Sequence, residues 1–527
     1  MDISNSSPTD LGAPSKFLSW WPGQLEALQE VLNSDKRFIA LSLATGAGKT
    51  LIYMIAALLH TAKPHSRACL LTSTKALQDQ LARDFGSSLV DVRGMNNYPC
   101  KPLQHGGEFY DSSDAPWDRS CDRGPCKTGW HCDLRESGCY YFDRVSEAAK
   151  SRIVSTNYSY WMAGGKALGP IDLLVLDEAH KAPEELAGFL STSLSMMEAE
   201  GILGGSVSDL GDDPDAWSEW ARNQRVTLKP RLEALKGGVW SRVAAKEHRA
   251  LERLERKLKL ISMCDENWVV EVGKRVNFDP IWPKKLNSYL FRDAKKVLLV
   301  SATVRRKTCD LLGIEPDELH FYEGEAIFDM KRRPFIHIPT IRLNFRSSPE
   351  ALRRWVVTID NIINKRQGLS GVIHTVSYKR KDYLLAHSRF AERMLTHDTR
   401  SAGRVVEKFK RSPAGTILVS PSATTGYDFP GDECRWQIIT KVPFPDARSK
   451  ILKARCKDDK DYAMYLAMQE LVQASGRGMR APDDWCDVFV VDDNISWFLG
   501  KYKDFSPGWF TKSYVKKTII PEVNGHE

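Results

Sequence analysis

Four groups of residues in this chain have the types and spacing to do chemistry. In the run Phe38-Ile-Ala-Leu-Ser-Leu-Ala-Thr-Gly-Ala-Gly-Lys-Thr50 an apolar strand feeds a glycine-containing turn and then a helix, an arrangement that cradles phosphate at a helix N-terminus. Gly46 and Gly48, with Thr45 and Ala47 between and beside them, let backbone N–H groups approach phosphate oxygens. Lys49 brings positive charge to them, and the Thr50 hydroxyl is placed to hold Mg²⁺. The pattern lacks the first glycine of G-x-x-x-x-G-K-[ST], position 43 being Leu. A second group closes Leu173-Leu-Val-Leu-Asp-Glu-Ala-His180. Asp177, following four apolar residues, suits a Mg²⁺ site, Glu178 suits polarisation of an attacking water, and His180 suits coupling to another domain.

The third group is Gln473-Ala-Ser-Gly-Arg-Gly-Met-Arg480, whose Arg477 and Arg480 can neutralise charge developing on a transferred phosphoryl group, Arg480 as the finger and Arg477 as its partner. The fourth is a cluster of cysteines: five of the 11 in the chain, Cys100, Cys121, Cys126, Cys132 and Cys139, lie within about 40 residues. In a reducing compartment such clustering points to metal rather than disulfides. The spacings are x20, x4, x5 and x6, with no C-x-x-C. A four-thiolate iron–sulfur centre therefore suits them better than structural zinc, which usually sits on two close cysteine pairs.

The elements around these groups must hold them at strand ends. With 527 residues the chain predicts three or four domains. Its 42% hydrophobic and 27% charged residues are those of a folded globular protein, and its apolar runs are too short to cross a bilayer. The expectation is a soluble, cytoplasmic protein, and its net charge of +8 permits phosphate-backbone partners. The first dozen residues read as a frayed terminus. From Phe17 to Asp177, strand-like runs (Phe38 to Leu43, Ala68 to Thr72, Ile153 to Thr156, Leu173 to Leu176) alternate with helical patterns, and Val297 to Val300 returns to the same sheet. A second alternation follows from about residue 331, through Gly371 to Thr375, Thr416 to Ser420, Gln437 to Thr440 and Val488 to Val491. The fold class is therefore α/β, with two parallel-sheet domains facing one another.

Two insertions interrupt the first domain. Residues 95–145 carry the cysteines and read as a loop-rich module. Residues 186–290 read as a helical insertion: Leu251, Leu254, Leu258 and Ile261 repeat at helical spacing, and from Lys229 to Leu260 there are 10 Lys and Arg against 4 Glu. A solvated helix pair with no ligand is the alternative there. The expected division is 1–94, 146–185 and 291–330 for the first motor domain, the two insertions at 95–145 and 186–290, and 331–527 for the second motor domain.

These groups together resemble the XPD/DinG family of superfamily 2 helicases. A-T-G-x-G-K-T resembles motif I, Asp177 to His180 the DEAH box, Ser301-Ala-Thr303 motif III, Gln473 to Arg480 motif VI and Ser420 to Gly431 motif V. Cys100 through Cys139, between the first two motifs, looks like the family's iron–sulfur insertion; Cys100 and Cys139 match best by context, and Cys121 is the one set aside. The resemblance implies two RecA-like motor domains with iron–sulfur and Arch-like insertions, and a helicase using ATP, Mg²⁺ and a [4Fe-4S] cluster. Gln24 would read adenine; Asp428 would sense nucleotide; His180, Ser301, Thr303 and Gln473 would couple the domains. Thr72, Thr74, Tyr158, Tyr160, Ser377 and Thr424 would face nucleic acid. The implied partners are single-stranded DNA and tailed or forked duplexes, no membrane, and a monomeric motor moving 5′ to 3′. Alternatives are a nucleic-acid-stimulated translocase or RNA remodeller that unwinds no DNA duplex, and an ATP-switched, zinc-containing DNA-binding module.

Overall fold

The computed structural model describes residues 3–205, 207, 210–236, 241–326, 328–344, 346–398, 400–421, 427–479 and 483–523. The runs Phe38–Ser42, Ala68–Thr72 and Leu173–Asp177 are buried along their whole length, as strands covered on both faces by helices must be. Among the described residues they belong to a seven-stranded sheet in the order Leu319–Glu323, Phe38–Ser42, Lys296–Ser301, Leu173–Asp177, Ala68–Thr72, Ile153–Asn157, Val90–Asp91. Every pairing in it is parallel. The order puts Lys296–Ser301 between the other two chemically marked strands, with Ser301 opposite Ser42 and Val300 opposite Asp177. Three motifs distant in sequence thus end side by side at the carboxyl edge, where open α/β sheets bind ligands.

The chain then enters a second seven-stranded parallel sheet, ordered Met394–Thr396, Ile417–Ser420, Gly371–His374, Trp436–Ile439, Asp487–Asp492, Phe335–Ile341, Tyr514–Lys516. The two domains meet along helix Tyr462–Ser475, where Tyr465 and Thr308 hydroxyls are 2.7 Å apart in buried contact. Strands Val90–Asp91, Leu319–Glu323, Phe335–Ile341, Met394–Thr396 and Tyr514–Lys516 escape the sequence reading. Most are short or at sheet edges, where half-burial blurs the apolar signal.

Two expectations need correcting. The N-terminal segment is not frayed: Ile3 and Ala13 are buried in the first domain's core, and Trp20 Nε1 donates to Ser6 O at 2.7 Å. A single buried Ile anchors a stretch whose composition is otherwise polar. The second insertion is not purely helical. Its helices Pro214–Lys236 and Arg242–Ile261 pack together, the second burying Leu251, Leu254, Leu258 and Ile261. Beside them lies a three-stranded antiparallel sheet of Thr192–Leu194, Val276–Pro280 and Trp268–Glu271. Buried Trp268, Val270, Val276 and Phe278 alternate about the Gly273-Lys274 turn, a hairpin pattern hidden within a basic, helix-rich region.

The cysteine module is a series of short 3₁₀ turns leading to helix Tyr140–Lys150. It leans on the second insertion: Arg242 Nη1 donates to both Asp114 carboxylate oxygens at 2.7 Å, and Lys127 pairs with Glu252 at 3.1 Å. That insertion also touches the domain built on the second sheet, where Arg455 Nε donates to Ile281 O at 2.7 Å. Among the described residues no helix is long and apolar enough to cross a membrane.

Candidate active site

Strand Phe38–Ser42 ends in a turn whose glycines take left-handed backbone angles, φ 82° at Gly46 and 66° at Gly48, and Lys49 opens the following helix. A side chain at Gly48 would be strained by that φ and would also strike Gln24, whose Nε2 would lie 2.3 Å from the new Cβ. Gln24, nearly fully buried, braces the turn: Nε2 donates to Ala47 O at 2.9 Å while Oε1 accepts from Trp21 N at 2.9 Å. Its amide is thus engaged by backbone on both sides, a role its expected adenine contact did not anticipate. Lys49 Nζ reaches Ala44 O at 3.4 Å across the same loop. A cleft of about 670 Å³ opens here, lined by Gln24, Thr45, Gly46, Gly48, Lys49, Thr50, Asp177, Glu178, Asp428, Gln473 and Arg477 among others.

Thr50 and Asp177 are joined by a residue the sequence reading missed. Tyr53, one helical turn beyond Thr50 and buried, donates towards Thr50 Oγ1 at 3.4 Å and Asp177 Oδ2 at 3.3 Å. Its position at i+3 was the available signal. Burial, then the neighbouring Glu178 charge, push the Asp177 carboxyl up to about 7, against the pull of Lys49. Burial pushes Glu178 the same way, but the hydrogen bond and charge of His180, with Lys49 and Arg477 behind, reverse it, and its carboxylate is held below the usual range. Asp177 and Glu178 are thereby separated in proton affinity although adjacent. Glu178 also sits at φ 51°, a left-handed angle unusual for a residue with a side chain, and its N–H donates to Asp177 Oδ1 at 2.9 Å.

From Glu178 a polar chain crosses to the second domain. Glu178 Oε2 lies 3.2 Å from His180 Nδ1, which is 2.7 Å from Ser301 Oγ. Ser301 Oγ accepts from Thr303 N at 3.2 Å, and Thr303 Oγ1 accepts from Gln473 Nε2 at 3.0 Å. All four expected coupling residues join in one relay. Arg477, largely buried, lies 3.6 Å from Asp428 Oδ1, feels the charges of Glu178 and Glu470, and holds an Nε with no hydrogen-bond partner among the described residues. Arg480 lies outside the described residues.

The cysteines converge. The Cys121 thiol contacts those of Cys100 and Cys139, and Cys126 and Cys132 lie within electrostatic range of Cys100 and Cys139. Cys100, Cys121 and Leu103 form the module's only buried apolar cluster among the described residues. Gly124 leaves room beside them, since a Cβ there would approach Cys100 Sγ to 2.7 Å. Thiols at the centre of a module with so little other core fit a bound cluster, although among the described residues no three His, Cys, Asp or Glu side chains are posed around a single ion. Cys121, set aside on sequence context, touches two of the other thiols, Cys100 and Cys139.

Most of the expected nucleic-acid contacts fare differently. Tyr158 is buried and donates to Asp177 O at 2.9 Å, and Tyr160 is buried with its hydroxyl 3.1 Å from that of Tyr141. Neither ring is available for stacking; both support the sheet beneath the site. Thr72 is fully buried, while Thr74 caps helix Lys75–Phe85 through Leu77 N and borders the cleft. Ser377 stands half-buried next to Val376, a β-branched residue at φ 56°. Thr424 lies outside the described residues.

Comparison with known proteins matches residues 17–198 to the family described as type III restriction enzyme, res subunit, and residues 363–513 to the helicase C-terminal domain family. ATP-dependent DNA helicase YoaA of Escherichia coli (strain K12) is 21% identical over 571 aligned positions, covering 86% of this chain and 88% of YoaA. A solved XPD helicase superposes with a TM-score of 0.59 at 16% identity, over 94% of this chain and 98% of its own. S. tokodaii Xpd4 gives 0.56 at 13% identity, over 94% and 99%. The chain carries a helicase C-terminal domain and is similar to the DinG/XPD-like helicases. Its two parallel sheets are RecA-like domains, as in these structures.

Proposed function

We propose that the chain hydrolyses ATP to move 5′ to 3′ along single-stranded DNA and to separate the duplex ahead of it. The relay from Glu178 through His180, Ser301 and Thr303 to Gln473 carries this reading, because it links the hydrolytic acid of one motor domain to the arginine-bearing element of the other. The loop at Thr45 to Thr50 would hold the phosphates, Glu178 would orient the attacking water, and Arg477 with Arg480 would neutralise the charge that develops. Phe17, Leu18 and Trp21 line the cleft beyond Gln24 and would receive the base. Thr50 and Asp177 would hold Mg²⁺, which supplies charge neutralisation at the phosphates. Closure on ATP and reopening after hydrolysis would change each domain's grip on DNA and ratchet the strand.

A [4Fe-4S] cluster held by Cys121 and three of Cys100, Cys126, Cys132 and Cys139 would give the module the core its sequence lacks. With the Arch-like helices against it, this module would form the rim where duplex is split. Cations of helix Arg242–Ile261 and the exposed Trp117 supply the electrostatic and stacking character such a rim needs.

Duplexes with either a 5′ or a 3′ single-stranded tail test the reading, with Lys49→Ala as the inactive control. Unwinding of the 5′-tailed duplex alone supports it. Unwinding of the 3′-tailed duplex alone overturns the polarity, and DNA-stimulated hydrolysis without unwinding of either makes the chain a translocase.

A further inference from the structure

We propose that Arg333 is a positioning residue: it latches the phosphate-binding loop to the closed second domain by holding Thr45, and so couples domain closure to ATP turnover. The inference rests on the cleft being an ATP-hydrolysis site and adds a residue that none of the recognised motifs contains.

Arg333 lies where the chain passes from the first sheet to the second, between strands Leu319–Glu323 and Phe335–Ile341, and is 4% exposed. Its guanidinium is anchored to the second domain on two sides. Cζ lies 4.6 Å from the centre of the Trp509 ring, and Nη2 donates to Ser475 Oγ at 3.3 Å. Trp509 belongs to the second domain's core with Phe335 and Phe510, so Arg333 must move with that domain. The third contact crosses the cleft: Nη1 donates to Thr45 Oγ1 at 2.7 Å, in a buried bond. Thr45 lies in the phosphate loop itself, four residues before Lys49, with Gly46 and Gly48 between.

The geometry makes this bond a gauge of closure. Gly476, adjoining Ser475, faces the same threonine so closely that a Cβ there would lie 2.7 Å from Thr45 Cγ2. Arg477 follows immediately and feels Glu178. One stretch of backbone therefore presents two consequences of closure together: Arg477 towards the hydrolytic acid, and Ser475 with Arg333 towards the loop. Separation of the domains carries Arg333 away with Trp509 and breaks the Thr45 bond, leaving the loop able to hold phosphate but not set for reaction.

The test is steady-state ATP hydrolysis by the full chain with single-stranded DNA, measuring kcat and KM separately. Arg333→Gln is expected to lower kcat by roughly 10- to 100-fold, as loss of a charged hydrogen bond does, with KM for ATP within about threefold. Arg333→Lys should recover only part, since an ammonium cannot hold two hydroxyls in the fixed fork that a guanidinium offers. Arg333→Gln combined with Thr45→Val should be no slower than the slower single variant, and Thr45→Ser should keep the coupling. Additive losses in the double variant, or a kcat unmoved by Arg333→Gln in a chain that hydrolyses ATP, overturn the latch and leave the ATPase standing. A wild-type chain with no hydrolysis overturns the parent reading as well. If Arg333→Gln does not fold, Trp509→Phe, which keeps a ring, must retain kcat while Trp509→Leu loses it; equal rates in that pair overturn the proposal.

Discussion

Replacing Gly476 by Ala adds one methyl group at the contact between the motor domains. The backbone there, φ −88° and ψ 6°, is open to any residue, so nothing local opposes the change. The obstacle is Thr45: the added carbon would sit 2.7 Å from Cγ2, 2.8 Å from Oγ1 and 3.1 Å from Cβ. Carbon atoms in contact stay roughly 3.5–4 Å apart, so the two walls must part by about 1 Å. Thr45 cannot easily turn aside, being β-branched, buried and held by Arg333 at 2.7 Å. Parting by that much takes the Arg333 bond past about 3.5 Å, where it ceases to be one. Losing a charged hydrogen bond costs roughly 1.5–3 kcal/mol, which at 1.36 kcal/mol per decade is roughly a ten- to 150-fold fall in kcat. DNA-stimulated hydrolysis at saturating ATP measures it, with thermal unfolding alongside. Because Ala restricts the unfolded chain more than Gly, by about 0.4–1 kcal/mol, part of that loss is offset and the melting temperature should fall only slightly. A variant with kcat within about twofold of wild type would show that the close approach of Thr45 to Gly476 has no part in turnover, and the reasoning would fail.

Asp177→Asn should stabilise the Mg²⁺-free protein at pH 8 and lose that advantage as pH falls. The native carboxyl is raised to about 7 from an ordinary 3.8, so between these values the native state holds a proton the unfolded chain has released, and stability declines as pH rises through the window. Melting temperatures of both proteins in chelator at pH 5 and pH 8 decide it; an equal gain at both would refute the assignment. Tyr158→Phe should cost about 1 kcal/mol of stability, through the lost bond to Asp177 O, and leave DNA affinity within about twofold. A large loss of affinity at unchanged stability would return Tyr158 to the nucleic-acid surface. Cys121→Ala, like Cys100→Ala, should abolish the roughly four irons and matching sulfide expected per chain, while Cys456→Ala, far along the sequence, keeps them. Full iron in the Cys121 variant would remove that residue from the ligand set.

The candidate phosphate-binding and acidic half of the site is legible in the chain because each piece is local. A phosphate loop needs glycines at two positions and a cation at the next, and an acidic pair needs an apolar strand before it, so Gly46 to Thr50 and Leu173 to Glu178 declare themselves without neighbours. The same holds for helix Arg242–Ile261, whose leucines recur at helical spacing. Burial is not local, and the readings that depended on it went astray. Tyr158 and Tyr160 have the composition of a stacking surface, yet lie under the sheet edge because the strand before them runs inside the sheet. Ile3 docks in a polar segment, and Val276 to Pro280 pairs as a strand among basic helices, for reasons that lie in distant partners.

By itself, then, the sequence determined which residues can bind phosphate, polarise water and neutralise charge, since those properties belong to residue types at short spacing. The tertiary structure decided their company. Only strand order sets Lys296–Ser301 between Phe38–Ser42 and Leu173–Asp177 and so links Glu178 to Gln473 through His180, Ser301 and Thr303. Only packing brings Tyr53 to Asp177, 124 residues away, and Arg333 against Thr45 from 288 residues away. Neither carries a motif, because a buried hydroxyl or guanidinium acts through what it touches, and contact is a property of the folded chain.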